Sequence, residues 1–399
     1  MKTKLSLAVA AALLAGATSA QAAGGIVAGD WTFDIGGNVN AFYIYNRSTD
    51  NNTIAGGLTN NEDSKGNSGA SSINTGLLPS WLGFTGKTRQ NNLDVEVAIS
   101  IQPGASSKAS LGGGGGQEHR QAYVSFGDKS WGTILIGKNL GIFGRDAILL
   151  DQTLLGVGSQ GAVGTAGGTT TTLGRIGTGF LYADFNGQIN YTSPNMNGFQ
   201  FVVGIDQPLG TTNLGGEASL GASGSQRQPG FVGKASYDFA GDVAGKVWVE
   251  AKSQKVDYTA SIEDTAHAIG VGANFNFAGL GLTGYYYNAD GAGTTAWLMD
   301  GMSADGKARD SDGGYVQAMY TIPSGTKLGV SWGISNLDEA SGEDGGTLVK
   351  ENEMTTVGAY HPLTKHLNLV AEYSHVKSKN HDNEENKSSI VSAGAIIFF

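Results

Sequence analysis

The chain has 399 residues, a formal charge of −10, 64 glycines and no cysteine. An acidic chain argues against nucleic acid as a main partner, because the phosphate backbone is bound by clustered lysine and arginine. Without cysteine there are no disulfide staples, thiolate nucleophiles or zinc–thiolate sites, and glycine scattered without a triplet period points to turns and crowded strand faces instead of collagen.

The first residues carry Lys2 and Lys4, an apolar run from Leu5 to Ala17, and then Ala20-Gln21-Ala22. A basic start, an apolar centre and a small-residue cleavage site predict a secretory signal peptide over residues 1–22, leaving a mature domain of 23–399. With Lys2 and Lys4 gone, the formal charge of −10 becomes −12. Downstream, no stretch approaches the roughly 18 apolar residues that a membrane helix needs. Closed barrels escape that test, since their strands are apolar only at every second position.

From Trp31 the odd positions Trp31, Phe33, Ile35, Val39, Tyr43 and Tyr45 are apolar, while Thr32, Asp34, Asn38 and Asn40 alternate with them. That is the period of a strand with one wet face. The same alternation recurs at Phe199 to Ile205, Val247 to Ala251, Leu328 to Ile334 and Leu367 to Tyr373. It predicts sixteen strands, at 31–46, 79–89, 93–102, 119–127, 131–138, 184–193, 198–206, 230–239, 245–254, 266–277, 282–289, 313–322, 327–335, 353–361, 366–376 and 388–399. Short connections such as Arg89 to Asn92 and Pro323 to Thr326 alternate with long ones around 47–78, 103–118, 207–229, 290–312, 336–352 and 377–387. Every strand is then antiparallel to the next, and the long loops share one side. All seven prolines fall in connections or at strand ends, where no ladder donor is lost. The fold class expected is all-β, a 16-stranded antiparallel transmembrane barrel, closed because lipid offers a sheet edge no hydrogen bonds. Sixteen strands leave an aqueous lumen, and the polar positions Asp34, Asn38 and Asn40 are expected to face it.

Residues 139–178 break the alternation. A connection this long is normally functional or disordered, and Ile142, Phe143, Ile148, Leu149, Leu150, Leu154 and Leu155 are too apolar for disorder. The segment is expected to be an ordered insert folded into something hollow. Other motifs carry little. Gly279-Leu-Gly-Leu-Thr-Gly284 matches a dinucleotide fingerprint but leads into a strand instead of a helix, and Gly112 to Gly116 is followed by no phosphate-binding lysine. Asp310-Ser-Asp-Gly313 has Thr321 where a calcium loop needs a bidentate Glu. No Ser and His can be argued to meet, so neither enzyme chemistry nor a cofactor or metal is expected.

Three stretches resemble the Gram-negative general diffusion porin family: Ser80-Trp-Leu-Gly-Phe-Thr-Gly86, His119-Arg-Gln-Ala-Tyr-Val-Ser-Phe126 and Trp131-Gly-Thr-Ile-Leu-Ile-Gly-Lys138. The end of the chain, with Val391, Ala393, Ala395, Ile397 and Phe399 on one face, resembles the signal by which outer-membrane barrels are recognised for assembly. The resemblance implies an outer-membrane homotrimer of sixteen-stranded barrels passing small hydrophilic solutes and ions. It also implies a third loop, here 139–178, that folds inward with acidic groups facing a basic wall. Carried over by position, Asp146 and Asp151 are the acidic loop residues and Arg120 a wall arginine. Arg145 and Arg175 lie on the same loop, and Trp81 and Lys87 on the wall. Trp81 stands where the family commonly has arginine, and the sixth segment has none, so the basic ladder looks thinned. Loss of wall cations and acidic mouths such as Asp338-Glu339, Glu343-Asp344 and Glu384-Glu385 predict weak cation selectivity. Outer-membrane lipid and lipopolysaccharide, whose phosphates divalent ions could bridge to the acidic loops, are the expected surroundings. The alternatives are a solute-selective channel, for carbohydrate for example, in which Trp81 stacks on a sugar, and a surface adhesion barrel.

Overall fold

The computed structural model describes residues 25–60, 66–105, 117–160, 171–208 and 226–399. The signal peptide and the five-glycine run lie outside these residues. Sixteen strands form the ring: β1 (Trp31–Thr49), β2 (Trp81–Gln90), β3 (Leu93–Pro103), β4 (Ala122–Asp128), β5 (Gly132–Leu140), β6 (Phe185–Thr192), β7 (Phe199–Asp206), β8 (Gly230–Phe239), β9 (Ala244–Asp257), β10 (Glu263–Phe277), β11 (Leu280–Asp290), β12 (Asp310–Thr321), β13 (Lys327–Leu337), β14 (Val349–Pro362), β15 (Leu367–Asn380) and β16 (Glu385–Phe398). Each pairs antiparallel with the next, and β16 returns to β1 with Val391 opposite Tyr45 and Phe398 opposite Asn38. Phe399 completes the seam: its N–H donates to Gly37 O at 3.0 Å and its carbonyl accepts from Gly37 N at 2.9 Å. The sheet has no free edge along its closed circuit, as a lipid-immersed sheet requires.

Alternation sets the two faces. On β1, Asn38, Asn40, Phe42, Ile44, Asn46 and Ser48 are buried toward the inside, while Val39, Tyr43 and Tyr45 are exposed outside. Cross-strand pairing carries this parity round the ring through Trp81, Ala98, Tyr123, Gly137, Gln188, Gly204, Val232, Lys252, Ala268, Tyr287, Gly313, Ser335, Asn352, Ser378 and Ser388. The outside is then a band of Val, Ile, Phe, Tyr and Leu. Short connections close tight hairpins; Asn91 and Asn92 both take positive φ, 50° and 65°, as a two-residue hairpin turn demands.

The expected fourth strand begins later than its pattern suggests. Gln102 Oε1 accepts from Arg120 N at 2.9 Å and Ser100 Oγ from Gln121 N at 3.1 Å, so side chains take these two amides, while Ser100 N still donates to Gln121 O at 3.0 Å. Three short segments lie beside the ring strands: 26–28 against 31–33, 69–74 against 42–47, and 117–118 against 102–103. The long connections do not all stand clear of the barrel: residues 54–60, 141–160, 171–184 and 291–303 turn into it, and most of them are buried.

Candidate pore constriction

The third long connection enters the lumen from β5 and forms a short helix, α1 (Arg145–Leu150), then a 3-10 turn over Gln152–Leu155. Gly144 permits the entry: its φ is 77°, and a Cβ there would lie 2.5 Å from Leu181 O. Its N–H donates to Glu250 Oε1, an inward carboxylate of β9, at 2.9 Å. Tyr285 OH donates to the same oxygen at 2.8 Å.

Asp146 points at two inward lysines, Lys234 of β8 and Lys246 of β9, the second at 3.2 Å. Burial pushes this carboxyl up, but the two ammonium groups outweigh it and hold it below the usual carboxylate range. Asp151 and Arg175 pair with each other at 3.3 Å, both side chains fully buried. Arg175 also donates to Met354 O at 3.1 Å and to Ser331 Oγ, and its guanidinium lies 5.6 Å from the Tyr315 ring centre. Thr153 Oγ1 donates to Asp151. Farther along, the Val157 and Gly158 amides donate to Glu372 of β15 at 2.7 and 2.9 Å, and Tyr360 OH donates to its other oxygen at 2.6 Å. Gln317 accepts from Gln152 N at 2.6 Å and donates to Leu150 O at 3.0 Å. Beneath the helix lie the inward rings Trp248, Tyr285, Tyr287 and Tyr315, with neighbouring centres 6.2 to 6.5 Å apart, and Tyr315 OH donates to Ala147 O at 2.8 Å. The loop is therefore held along the β8–β15 wall by apolar packing, buried ion pairs and backbone amides given to wall carboxylates.

The candidate residues do not share one place. Asp146, Asp151 and Arg175 come together with the wall as above. Arg145 is half-buried, its guanidinium tied to Leu140 O and to Gly141 O at 3.0 Å. Arg120 bonds Glu118 at 2.8 Å and lies 5.3 Å from the Phe185 ring centre, at the loop-side end of the strands. Lys87 stands at the opposite end, 3.5 Å from Glu96, which accepts from Tyr123 OH at 2.9 Å. There Lys87, Arg89, Asp94, Glu96 and Asp128 line a hollow of about 800 Å³ at the short-turn mouth. Trp81 is inward and half-buried, its ring over Gly83, where a Cβ would lie 2.2 Å from Cζ2. Asn40 is a spacer: it bonds Asn38 at 3.0 Å, Leu78 O at 2.9 Å and Gly76 N at 2.9 Å.

Sequence reasoning passed over Lys234, Lys246, Glu250 and Glu372. Their inward direction follows from strand parity, but their partners depend on how the loop returns. The two lysines also refill a wall that looked thinned of arginine: they stand two and three strands beyond the sixth, where arginine was sought.

A family model described as Gram-negative porin matches residues 6–381. Among solved structures, the outer membrane channel DcaP of Acinetobacter baumannii superposes with a TM-score of 0.68 at 15% identity, covering 94% of this chain and 100% of that one. An anion-selective porin from Comamonas acidovorans gives 0.63 at 15% identity, with 92% and 100% covered. Salmonella typhi OmpF in complex with daunomycin gives 0.61 at 14%, with 94% and 99% covered. No curated protein sequence matches.

Proposed function

Since the chain belongs to the Gram-negative porin family and so resides in the outer membrane as a diffusion channel, we propose that it is a trimeric, weakly cation-selective pore for small hydrophilic solutes and ions. The observation that carries the charge preference is the balance of lumen charge. Around α1 the acids Asp146, Asp206, Asp238 and Glu250 offset Arg145, Lys234, Lys246 and Lys252. Beyond that balanced patch acids prevail: the hollow at the short-turn mouth sets four of them, Asp30, Asp94, Glu96 and Asp128, against the three cations Lys87, Arg89 and Lys129. The outer loops add Asp338, Glu339, Asp344, Asp382 and Glu384. A field of one sign concentrates counter-ions at a mouth and biases what enters. Trimer formation is supported by the fold shared with porins, one of which is a trimer form of Vibrio cholerae OmpT. Divalent ions bridging the acidic outer loops to lipopolysaccharide belong to the same proposal.

The test is single-channel conductance with reversal potential in a planar bilayer under a salt gradient. Conductance arriving in threes with a modest cation bias is expected. An anion bias would overturn the selectivity assignment, and single steps would overturn the trimer.

A further inference from the structure

The third loop is not alone in the lumen. Residues 291–303, from the connection between β11 and β12, are buried throughout except for half-buried Ala296. Their backbone runs back into the barrel: Ala292 O accepts from Leu298 N at 2.8 Å, and Gly293 O accepts from Ser311 Oγ at 2.8 Å. Trp297 reaches β9, where Nε1 donates to Gln254 Oε1 at 3.1 Å and Lys252 Nζ sits 4.8 Å from the ring centre. Its ring also meets Phe143 of the third loop at 6.2 Å. Thr295 O accepts from Tyr182 N at 2.9 Å. Tyr182 is three residues short of β6, and β6 and β11 stand five places apart in the ring. At roughly 4.8 Å per strand that is on the order of 24 Å of wall. A direct hydrogen bond between their connections therefore requires them to reach across the ring instead of following the wall.

A third segment joins at the same point. Gly177, at φ 76°, has room for no side chain: a Cβ would lie 2.7 Å from Leu58 Cδ1 and 2.7 Å from Thr295 Oγ1. Leu58 belongs to the first long connection, whose amide donates to Ser378 Oγ of β15 at 2.9 Å. Loops from β1–β2, β5–β6 and β11–β12 therefore touch around one glycine. At its base the 291–303 segment is clamped by Arg309, which donates to Asp300 O at 2.8 Å and forms a two-point pair with Glu343 at 2.9 and 2.6 Å.

We infer that residues 291–303 are a second fixed filter, and that the three-loop junction at Gly177, not the third loop by itself, sets the size limit for solutes. The inference rests on the channel reading and adds the element that decides which solutes fit. A pore built this way passes small solutes, and Trp297 and Thr295, both buried, are the side chains that hold the junction across the lumen.

Gly291 N donates to Arg309 O at 3.0 Å, so a four-residue Gly/Ser turn can replace residues 292–308 and close the hairpin. Full-length protein and this variant are compared in planar bilayers and in liposome swelling with sugars of increasing size, after heat-modifiable gel mobility confirms a folded barrel. Conductance is expected to rise at least twofold, with larger sugars admitted. Equal conductance and an equal size limit in two folded barrels would overturn the filter and leave the channel intact. Absence of steps in both would refute the channel reading itself. Trp297→Ala, which keeps the backbone, serves if the deletion fails to assemble: it should raise conductance by about a fifth or more, and no rise would overturn the inference.

Discussion

Arg175 separates a pore charge from a structural latch. The sequence places it at the constriction, yet its guanidinium is fully buried, paired with Asp151 and bonded to Met354 O and Ser331 Oγ. Arg175→Met leaves the Asp151 carboxylate buried with only Thr153 for company. Breaking one side of a buried ion pair costs about 3–5 kcal/mol, because the remaining charge is neither paired nor hydrated. If that cost falls on the loop alone, the population in which residues 171–183 come off the wall rises about a hundredfold or more, since ~1.4 kcal/mol is a factor of ten. Hydrogen exchange measured by mass spectrometry reads this directly, because Gly174 N and Ile176 N are bonded within the latch. The double variant Asp151→Asn/Arg175→Met removes both charges and should recover most of the protection, as replacing a whole buried pair is close to neutral. Protection unchanged in the single variant, together with a shifted reversal potential, would refute the latch and make Arg175 a pore charge.

Asp146→Asn should move the reversal potential toward anions; a unit charge ~7 Å from a permeating ion in water is worth roughly 0.6 kcal/mol, a two- to threefold change in cation preference, and an unmoved potential would take Asp146 out of the ion path. Lys246→Met should shift it the other way, checked in the same salt gradient. Glu372→Gln keeps a single acceptor where three donors converge, and the lost charge-assisted bonds should lower the thermal midpoint by an amount equivalent to about 1–3 kcal/mol. The hydrogen bonds from Arg309 hold the Glu343 carboxyl below its ordinary range, and the lysines do the same for Asp146. A carboxylate with a depressed folded pKa stabilises fully above its unfolded value and loses that contribution as pH falls through the folded one. Loss of these two pairs should therefore begin only below about pH 4, so the difference in loop noise between the unaltered channel and the Asp146→Asn or Glu343→Gln variant should be flat from about pH 8 to pH 5; a difference that changes near pH 6 would contradict the pairs.

The barrel was legible because its information is local. Each strand shows its two faces through alternation, each tight turn shows itself through residues such as Asn91-Asn92, and the order of short and long connections gives the topology. All sixteen expected segments correspond to ring strands, with ends displaced where side chains such as Gln102 and Ser100 take amides that would otherwise belong to the ladder. The interior was less legible, because its pairings are not local. Asp151 and Arg175 are 24 residues apart and Val157 meets Glu372 from a distance of 215. A signal for the second inward segment did exist: Trp297, Leu298, Met299 and Met302 are too apolar for a connection standing in water, and the same argument that marked 139–178 as ordered applies to them.

The way the loops are held explains why this lumen can be narrow without a mobile gate. An inward loop brings polar backbone into a space where it must find partners, and leaving an amide unpaired in a buried setting costs more than a hydrogen bond returns. Here the wall carries acceptors where the loop arrives: Glu250 for Gly144, Gln317 for Gln152, and Glu372 for Val157 and Gly158. Charged acceptors make such bonds stronger than neutral ones, and they stand on strands whose positions the closed ladder fixes. The inward acids thus divide between two tasks. Glu250, Glu372 and Asp151 anchor the loop, and Asp34, Asp94 and Glu96, nearer the short-turn mouth, remain to meet the ions that pass.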